Sequence, residues 1–240
     1  MTVTRGEGVA IYWPELIEGT LVKRYKRFMA DVKLRNHHMV TAHCPNSGSM
    51  RGCSGPGKKV YLSRQNRPKR RLKYTWEMID MGTSLVGVNT LIPNRLVKKA
   101  IQAGVIEGLA GYEDLRTEVP YGTHSRVDIL LQRDQELCYV EVKNCTLVEN
   151  ATAFFPDAVT TRGLRHLMEL QEELKKGHRA VMFYLTQRMD AECFAPADHI
   201  DPAYGKELRR ALENGVEIIA YDVVVDLEKI QLNRSLPLKL

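Results

Sequence analysis

The segments SRVDILLQ (residues 125–132) and CYVEVKNCT (138–146) decide the fold of the second half of this chain. Both are rich in aliphatic and β-branched residues, which favours two successive strands. Because side chains alternate along a strand, Glu141 and Lys143 point to one face, and Val140 and Val142 point to the other. A Glu and a Lys on an apolar strand are unusual, since charged side chains are seldom buried unless they are paired or bind a metal.

Asp128, on the first of these strands, can join the Glu141–Lys143 pair. Two carboxylates are hard oxygen ligands that suit Mg²⁺ or Mn²⁺, and such a cation polarises a phosphate and activates a water. A neighbouring lysine stabilises the negative charge that develops. The pattern therefore predicts a phosphodiester-cleaving site with Asp128, Glu141 and Lys143 as catalytic residues. The alternative is an ion pair on a solvated strand face, because short motifs also match by chance.

The elements around this motif predict a mixed α/β domain. A helix is expected to begin at Pro93 and to end before Gly104, a position typical of a helix stop. Three strands should follow it, and then helix, strand, helix and strand, which implies a mixed sheet with helices packed on it. The later helices are predicted over residues 157–176 and 202–214, and the strands over residues 115–121, 126–132, 137–148, 179–186 and 216–225.

The first half of the chain has a different rhythm. Apolar and polar residues alternate from Phe28 to Arg35, and further short strands are expected at 60–62, 74–79 and 85–88. Several short strands in so few residues predict a small, five-stranded barrel like the oligonucleotide-binding (OB) fold. We therefore expect an OB-like barrel over residues 1–88 and an α/β domain over residues 89–240.

Charge is unevenly distributed between the two halves. Residues 1–85 hold 16 Lys and Arg and 6 Asp and Glu, which gives +10, whereas the remainder holds 19 and 23, which gives −4. This asymmetry predicts a polyanionic partner for the first half. The candidate contacts to phosphate are the basic residues of one short segment, with Arg162 on the predicted helix as a further one: Arg64, Arg67, Lys69, Arg70, Arg71 and Lys73.

Two features leave alternatives open. Tyr61, Tyr74 and Trp76 flank the basic segment and offer faces for stacking on bases, but aromatic residues in strands are also typical of a core. The basic segment itself is equally compatible with a solvated loop. The chain has no apolar stretch of the roughly 18 residues that a membrane helix needs, and it begins without a secretory pattern, so we expect a cytoplasmic protein without a membrane partner.

The D…ExK pattern resembles the PD-(D/E)xK nuclease superfamily, with Val127 in place of the proline that precedes the aspartate. Further blocks of a known family occur in order along nearly the whole chain: HCPNSGSM (43–50), VGVNT (86–90), PNRLV (93–97), EVPYG (118–122), SRVDILL (125–131), YVEVKNCTL (139–147), FPDAVTTRG (155–163) and SLPL (235–238). By these blocks the chain is similar to the sugar fermentation stimulation protein A family. The resemblance implies an N-terminal OB barrel, a nuclease-like C-terminal domain, and DNA binding linked to the regulation of sugar (maltose) metabolism.

By this resemblance Asp128, Glu141 and Lys143 match the nuclease-like triad. Lys99 stands where the family pattern NxLVxEA has an acidic residue, and Glu118 is predicted to replace that residue as a ligand of Mg²⁺ or Mn²⁺. Two hypotheses follow: a metal-dependent nuclease, and a DNA-binding regulator that keeps the nuclease fold without turnover. DNA is the expected partner in both, and homodimer formation is left open. A sugar-phosphate sensor is a third interpretation.

Overall fold

The structure, a computed structural model, describes residues 9–65, 70–122 and 125–240. The chain begins with a short strand, β1 (Ala10–Tyr12), and then forms the strands of a barrel. These are β2 (Leu16–Tyr25), β3 (Met29–Leu34), β4 (Met39–His43), β5 (Lys59–Arg64), β6 (Tyr74–Asp80) and β7 (Leu85–Gly87).

Five of these strands close into a ring. The order along the sheet is β4-β3-β2-β5-β6, and β4 pairs again with β6 through Ala42 opposite Tyr74. Closure removes the free strand edges that would otherwise be left unpaired. The interior is filled by alternate residues of the strands, among them Leu21, Val32 and Trp76, all of which are buried. The prediction of a five-stranded OB-like barrel is confirmed, and β7 adds to it as an outer strand.

The second part of the chain builds a seven-stranded mixed sheet. Its order is β1-β16-β15-β13-β10-β9-β8, with β10, β13 and β15 parallel in its centre. A second, three-stranded sheet is formed by β11, β12 and β14. The strands are β8 (Asp114–Tyr121), β9 (Ser125–Arg133), β10 (Glu136–Cys145), β11 (Leu147–Glu149), β12 (Thr152–Phe155), β13 (Arg179–Thr186), β14 (Cys193–Pro196), β15 (Glu217–Val225) and β16 (Lys229–Ser235).

In the described part of the chain, three helices cover the large sheet: α1 (Leu91–Gln102), α2 (Thr161–Lys175) and α3 (Pro202–Glu213). The apolar side of α1 packs on one face of the sheet through residues such as Leu96 and Val97. On the other face α2 and α3 pack together, with Leu167 and Leu208 buried against it. The result is a three-layer arrangement in which the starts of α1 and α2 meet near strand β10. No helix within the described ranges is long and apolar enough to span a membrane.

Local sequence patterns missed the long-range pairings. Residues 10–12 were assigned to the barrel, but β1 pairs with β16 at the edge of the large sheet. The helix predicted from residue 157 begins at Thr161, because the Thr160 hydroxyl accepts the N–H of Gly163 as its cap. Residues 156–160 instead form a loop. Strands β1, β2, β4, β12, β14 and β16 were not predicted, and the single strand predicted over residues 137–148 is divided into β10 and β11.

The two parts of the chain are tied together by buried polar contacts. The Gly87 N–H donates to the Gln187 carbonyl at 2.8 Å, and Nε2 of Gln187 donates to the carbonyl of Asn89 and to Oδ1 of Asn144. On another side, Oδ2 of Asp157 accepts the N–H of Met50 at 2.8 Å. The barrel is therefore fixed to the α/β domain at several points around the junction.

Gly87→Ala tests this junction. A methyl group at residue 87 would lie 2.6 Å from Oε1 of the fully buried Gln187, so one of the two side chains must move. We expect the free energy of unfolding to fall by about 1–3 kcal/mol, measured by urea denaturation. Gly55→Ala is the matched control, because its nearest neighbour would lie 3.8 Å away. Equal stability of the two variants would contradict the described junction.

Candidate functional site

Strands β9 and β10 bring Asp128, Glu141 and Lys143 to one cavity. Ile129 stands opposite Val140 in the antiparallel register, so Asp128 and Glu141 come next on their respective strands. A cavity of about 260 Å³ opens there between the sheet and the starts of the first two helices. Its lining includes the three residues of the predicted triad together with Asn94 of α1 and Arg162 of α2.

Asp128 is held by both helix α1 and strand β10. Its Oδ1 accepts a hydrogen bond of 2.7 Å from Nδ2 of Asn94, and its Oδ2 accepts one of 2.8 Å from the N–H of Val142. Burial and the neighbouring Glu141 carboxylate nevertheless raise the pKa of Asp128 to about 6. This carboxyl is thus costly to ionise in the absence of a nearby cation.

Glu141 lies in the interior, with 2% of its surface exposed. Its Oε1 accepts a bond of 2.6 Å from Nζ of Lys143 and a further bond from Nδ1 of His166. Burial opposes ionisation, but the Lys143 and His166 contacts outweigh it and hold the pKa of the Glu141 carboxyl below its ordinary value. Its Oε2 is buried without a hydrogen-bond partner among the described residues.

His166 and Arg162 orient the Glu141 carboxylate. They lie four residues apart on α2 and so share one face of the helix. Nε of Arg162 donates to Nε2 of His166 at 3.3 Å, and an imidazole that accepts at Nε2 carries its proton on Nδ1. Nδ1 of His166 therefore donates to Glu141, which leaves Oε2 as the free oxygen of the carboxylate.

The donors present suit a hard divalent cation with a partly hydrated shell. Among the residues that the structure describes there is no group of three or more His, Cys, Asp and Glu side chains arranged for a metal ion. Mg²⁺ does not require one, since it usually keeps several waters and binds through one or two carboxylates. The unpartnered Oε2 of Glu141 and the destabilised charge of Asp128 are both groups that a cation between them would stabilise.

Two residues of the sequence interpretation lie away from this cavity. The Glu118 side chain is exposed on β8, where the residue has a positive φ of 56°, and it is not among the residues that line the cavity. Lys99 is exposed on α1, and its Nζ donates to the Ala10 carbonyl. The α1 side chain that faces the site is instead Asn94, which the sequence did not single out because an amide in a first helical turn is common.

The basic segment forms the connection between β5 and β6. Arg64, Arg71 and Lys73 are exposed, and Arg70 is half-buried with Nη2 donating to Oγ1 of Thr75 at 2.9 Å. Arg67 and Lys69 lie outside the described residues. Arg70 lines a separate cleft of about 350 Å³ with Arg95, and Arg64, Arg70, Arg71 and Lys73, the basic residues of this segment that the structure describes, do not line the Asp128 cavity.

The aromatic residues beside the basic segment are mostly core residues. Trp76 is fully buried in the barrel, and Tyr61 is buried at the junction with the α/β domain. Their faces are therefore not open to bases, and the stacking interpretation is wrong for these two. Tyr74 is half-buried and stands opposite Ala42 where the barrel closes.

Comparisons with known proteins agree with this two-domain structure. A family model described as "Sugar fermentation stimulation protein RE domain" matches residues 91–229, and one described as "SfsA N-terminal OB domain" matches residues 22–88. These ranges lie on either side of the boundary expected between residues 88 and 89.

Relatives match over nearly the whole chain. A sugar fermentation stimulation protein homolog from Geotalea daltonii is 53% identical over 224 residues, which are 93% of this chain and 97% of the relative. One from Geobacter sulfurreducens is 54% identical over 222 residues, 92% and 95% of the two chains. A structure described as Pyrococcus furiosus SfsA in complex with Ca²⁺ superposes with a TM-score of 0.90 at 24% identity, over 98% of this chain and 100% of that one, and so has the same fold.

Proposed function

Since this chain belongs to the sugar fermentation stimulation protein family, we propose that its C-terminal domain cleaves phosphodiester bonds of nucleic acid with a divalent cation held by Asp128 and Glu141. The observation that carries the proposal is the unpartnered, buried Oε2 of Glu141 in a cavity that also contains Asp128, Lys143 and Arg162. The Ca²⁺ named in the description of the Pyrococcus furiosus structure supports a cation site in this fold. Mg²⁺ or Mn²⁺ is the proposed cofactor.

In this proposal some residues of the cavity hold the cation and others contact the phosphate. When bound, the cation supplies charge that polarises the phosphate and lowers the pKa of a water. Lys143, held at 2.6 Å from Oε1 of Glu141, donates hydrogen bonds to the phosphate oxygens on which negative charge develops. Asn94 and the Val142 N–H keep Asp128 in place, and His166 does the same for Glu141.

The start of α2 is the proposed phosphate-binding side of the cavity. Thr160, Arg162 and Gly163 line it, and α2 is a 15-residue helix whose first N–H groups lie there. Helix N-termini favour anions because of their free N–H groups and the helix dipole. The guanidinium of Arg162 adds a full positive charge on the same side. A phosphate in the cavity would thus lie between Arg162, Lys143 and the cation.

One observation favours a second candidate, a DNA-binding regulator without turnover. Oε1 of Glu141 already accepts bonds from Lys143 and His166, and only two carboxylates, Asp128 and Glu141, face the cavity among the described residues. The negative charge of Glu141 is already balanced by Lys143, so the site is stable without a bound cation and without turnover. In either candidate, the link to sugar metabolism that the family's name carries would run through the nucleic acid bound.

The deciding experiment is incubation of the pure protein with labelled single- and double-stranded DNA and RNA, in Mg²⁺, in Mn²⁺ and in EDTA. The nuclease proposal predicts cleavage that requires the cation and that falls by at least about 10³-fold in Glu141→Gln. Glu172→Gln, an exposed glutamate on α2, is the control and should cleave like the wild type. Tight binding without cleavage in every condition would instead establish the regulator.

Nucleic-acid binding itself is proposed to use the basic segment between β5 and β6. Replacing Arg70 and Arg71 with Gln should make the slope of log affinity against log salt less steep by about 1.5. Each lost phosphate contact reduces the magnitude of this slope by roughly 0.7–0.9. Fluorescence anisotropy over a salt series measures the slope. The control removes two exposed lysines, Lys175 and Lys206, at sites on α2 and α3. An equal change in both double variants would contradict this role of the segment.

A further inference from the structure

A larger cleft continues from the Asp128 cavity toward the barrel. It has a volume of about 550 Å³ and shares Thr90, Asn144, Phe155 and Thr160 with the lining of the smaller cavity. One wall comes from the barrel, with Arg24, Arg27 and residues 46–49, and the opposite wall is the segment 155–160. The two cavities therefore adjoin each other, and the triad lines the smaller one.

The two arginines of the barrel wall have different roles. Arg24 donates to the carbonyls of Asn46, Gly48 and Ser49 at 2.7–3.2 Å, so its charge is used to hold the loop that forms the wall. Arg27 is exposed, and its guanidinium makes no hydrogen bond or ion pair with any residue in the described ranges. It is the cation on this wall that is free to meet a ligand.

The opposite wall exposes an apolar side chain at its lip. Val159 is 72% exposed, with Ala158 and Phe155 half-buried beside it, whereas Pro156 is buried and the Asp157 carboxylate accepts the Met50 N–H. The base faces of a duplex are covered by stacking, so an apolar side chain at the lip of the cleft cannot pack on them. The unstacked bases of a single strand offer faces to such a wall, while its phosphates remain available to a cation.

We infer that this cleft holds a single strand of nucleic acid, with its backbone beside Arg27, a base against Ala158 and Val159, and the phosphate to be cleaved beside Asp128 and Glu141. The inference rests on the proposed function and narrows its substrate to single strands or to unpaired ends and loops. The size of the cleft agrees, because cavities of this volume accept small groups such as a few nucleotides rather than a double helix.

The cleft also gives the 43–50 loop a function beyond packing. Oγ of Ser49 donates to the Asp157 carbonyl at 2.6 Å, and Oγ1 of Thr90 donates to the Pro45 carbonyl at 2.9 Å. These contacts hold both walls at a fixed separation. A strand in the cleft would therefore meet a preformed path, which limits the entropy lost on binding.

The test is binding in EDTA of a labelled single strand of about 15 nucleotides and of a duplex of the same sequence. Arg27→Gln should weaken single-strand binding roughly eightfold near 50 mM salt, since one lost phosphate contact lowers the salt slope by about 0.7 over the 1.3 decades below 1 M. Lys26→Gln is the matched control. Lys26 is also exposed and also has a positive φ, but it does not line the cleft.

A second variant tests the apolar wall without altering charge. Val159→Ser should weaken binding of the single strand roughly threefold and leave duplex binding unchanged, because it removes apolar contact area at an exposed position that the fold does not need. The inference is overturned if Arg27→Gln behaves like Lys26→Gln, or if both variants affect single strand and duplex alike. A wild-type protein that binds neither form would overturn the proposed function as well, so the two failures are distinguishable.

Discussion

Lys143→Ala is expected to lower the rate of cation-dependent cleavage by about 10²–10³ while the affinity for Mn²⁺ stays equal or increases, the rate effect being that of removing one donor to a developing oxyanion. Nζ of Lys143 lies 2.6 Å from Oε1 of Glu141, and the side chain is 12% exposed. The lysine is not a cation ligand, and its removal takes a positive charge away from the cation site while His166 still holds Oε1. Single-turnover cleavage and a Mn²⁺ titration on the same preparation measure the two effects.

The control for Lys143→Ala is a similar Lys–Glu ion pair outside the cavity. Nζ of Lys176 lies 2.8 Å from Oε1 of Glu173, whose side chain is also buried, but the pair does not line the cavity. Lys176→Ala should therefore change neither cleavage nor Mn²⁺ affinity. If Lys143→Ala loses Mn²⁺ affinity together with activity, Lys143 supports the position of Glu141 and does not act on the phosphate.

Asp128→Asn is expected to stabilise the metal-free protein by about 2 kcal/mol above pH 7. Burial and Glu141 raise the pKa of Asp128 to about 6, from an ordinary value of 3.8. A rise of about 2 in this pKa means that the ionised carboxyl destabilises the folded state by roughly 3 kcal/mol, which asparagine avoids. About 1 kcal/mol of this gain is lost, because an amide cannot accept both the Asn94 and the Val142 bonds. The stabilising variant would at the same time lose the cation site.

The sign of the pH dependence follows from proton binding. Between pH 3.8 and pH 6 the folded wild type keeps a proton on Asp128 that the unfolded chain has released, so its free energy of unfolding falls as pH rises through this window. Asparagine does not titrate. The stability gain of Asp128→Asn should therefore be small near pH 4, grow up to about pH 6 and level off above pH 7.

Urea denaturation in EDTA at several pH values measures this difference. Asp114→Asn, at an exposed position on β8, is the control and should change stability by less than about 0.5 kcal/mol at every pH. A gain for Asp128→Asn that is the same at pH 4 and pH 8 would mean that Asp128 is not the costly charge that the structure describes.

The sequence was sufficient to predict the strands that build the site. Alternation placed Glu141 and Lys143 on one face, and both do line the cavity with Asp128. Side-chain alternation along a strand is a local property, so it can be predicted without knowledge of the fold. The barrel was predictable for the same reason, since its short strands are separated by turn residues.

What sequence could not provide depends on contacts between distant residues. Pairing of β1 with β16 joins residues more than 200 positions apart, and no local pattern specifies it. The bonds from Asn94 to Asp128 and from His166 to Glu141 depend on how α1 and α2 pack on the sheet. A spacing of four residues puts Arg162 and His166 on one face of α2, but only packing determines which groups that face meets.

The cleft between the domains was also beyond local patterns. Arg27 and Val159 are 132 positions apart, and nothing in either neighbourhood of the sequence relates them. They line one cleft because the 46–49 loop is bound to the Asp157 carbonyl through Ser49 and to the guanidinium of Arg24. Glu118 illustrates the reverse case, since a favourable position on a neighbouring strand was not enough to bring its side chain to the cavity.

The most direct test of a cation held by Asp128 and Glu141 is a titration of the pure protein with Mn²⁺, following free Mn²⁺ by electron paramagnetic resonance. The account predicts one site in the wild type, weakened by at least about tenfold in both Asp128→Asn and Glu141→Gln. Absence of Mn²⁺ binding to the wild type, or equal affinity in the wild type and both variants, would contradict it.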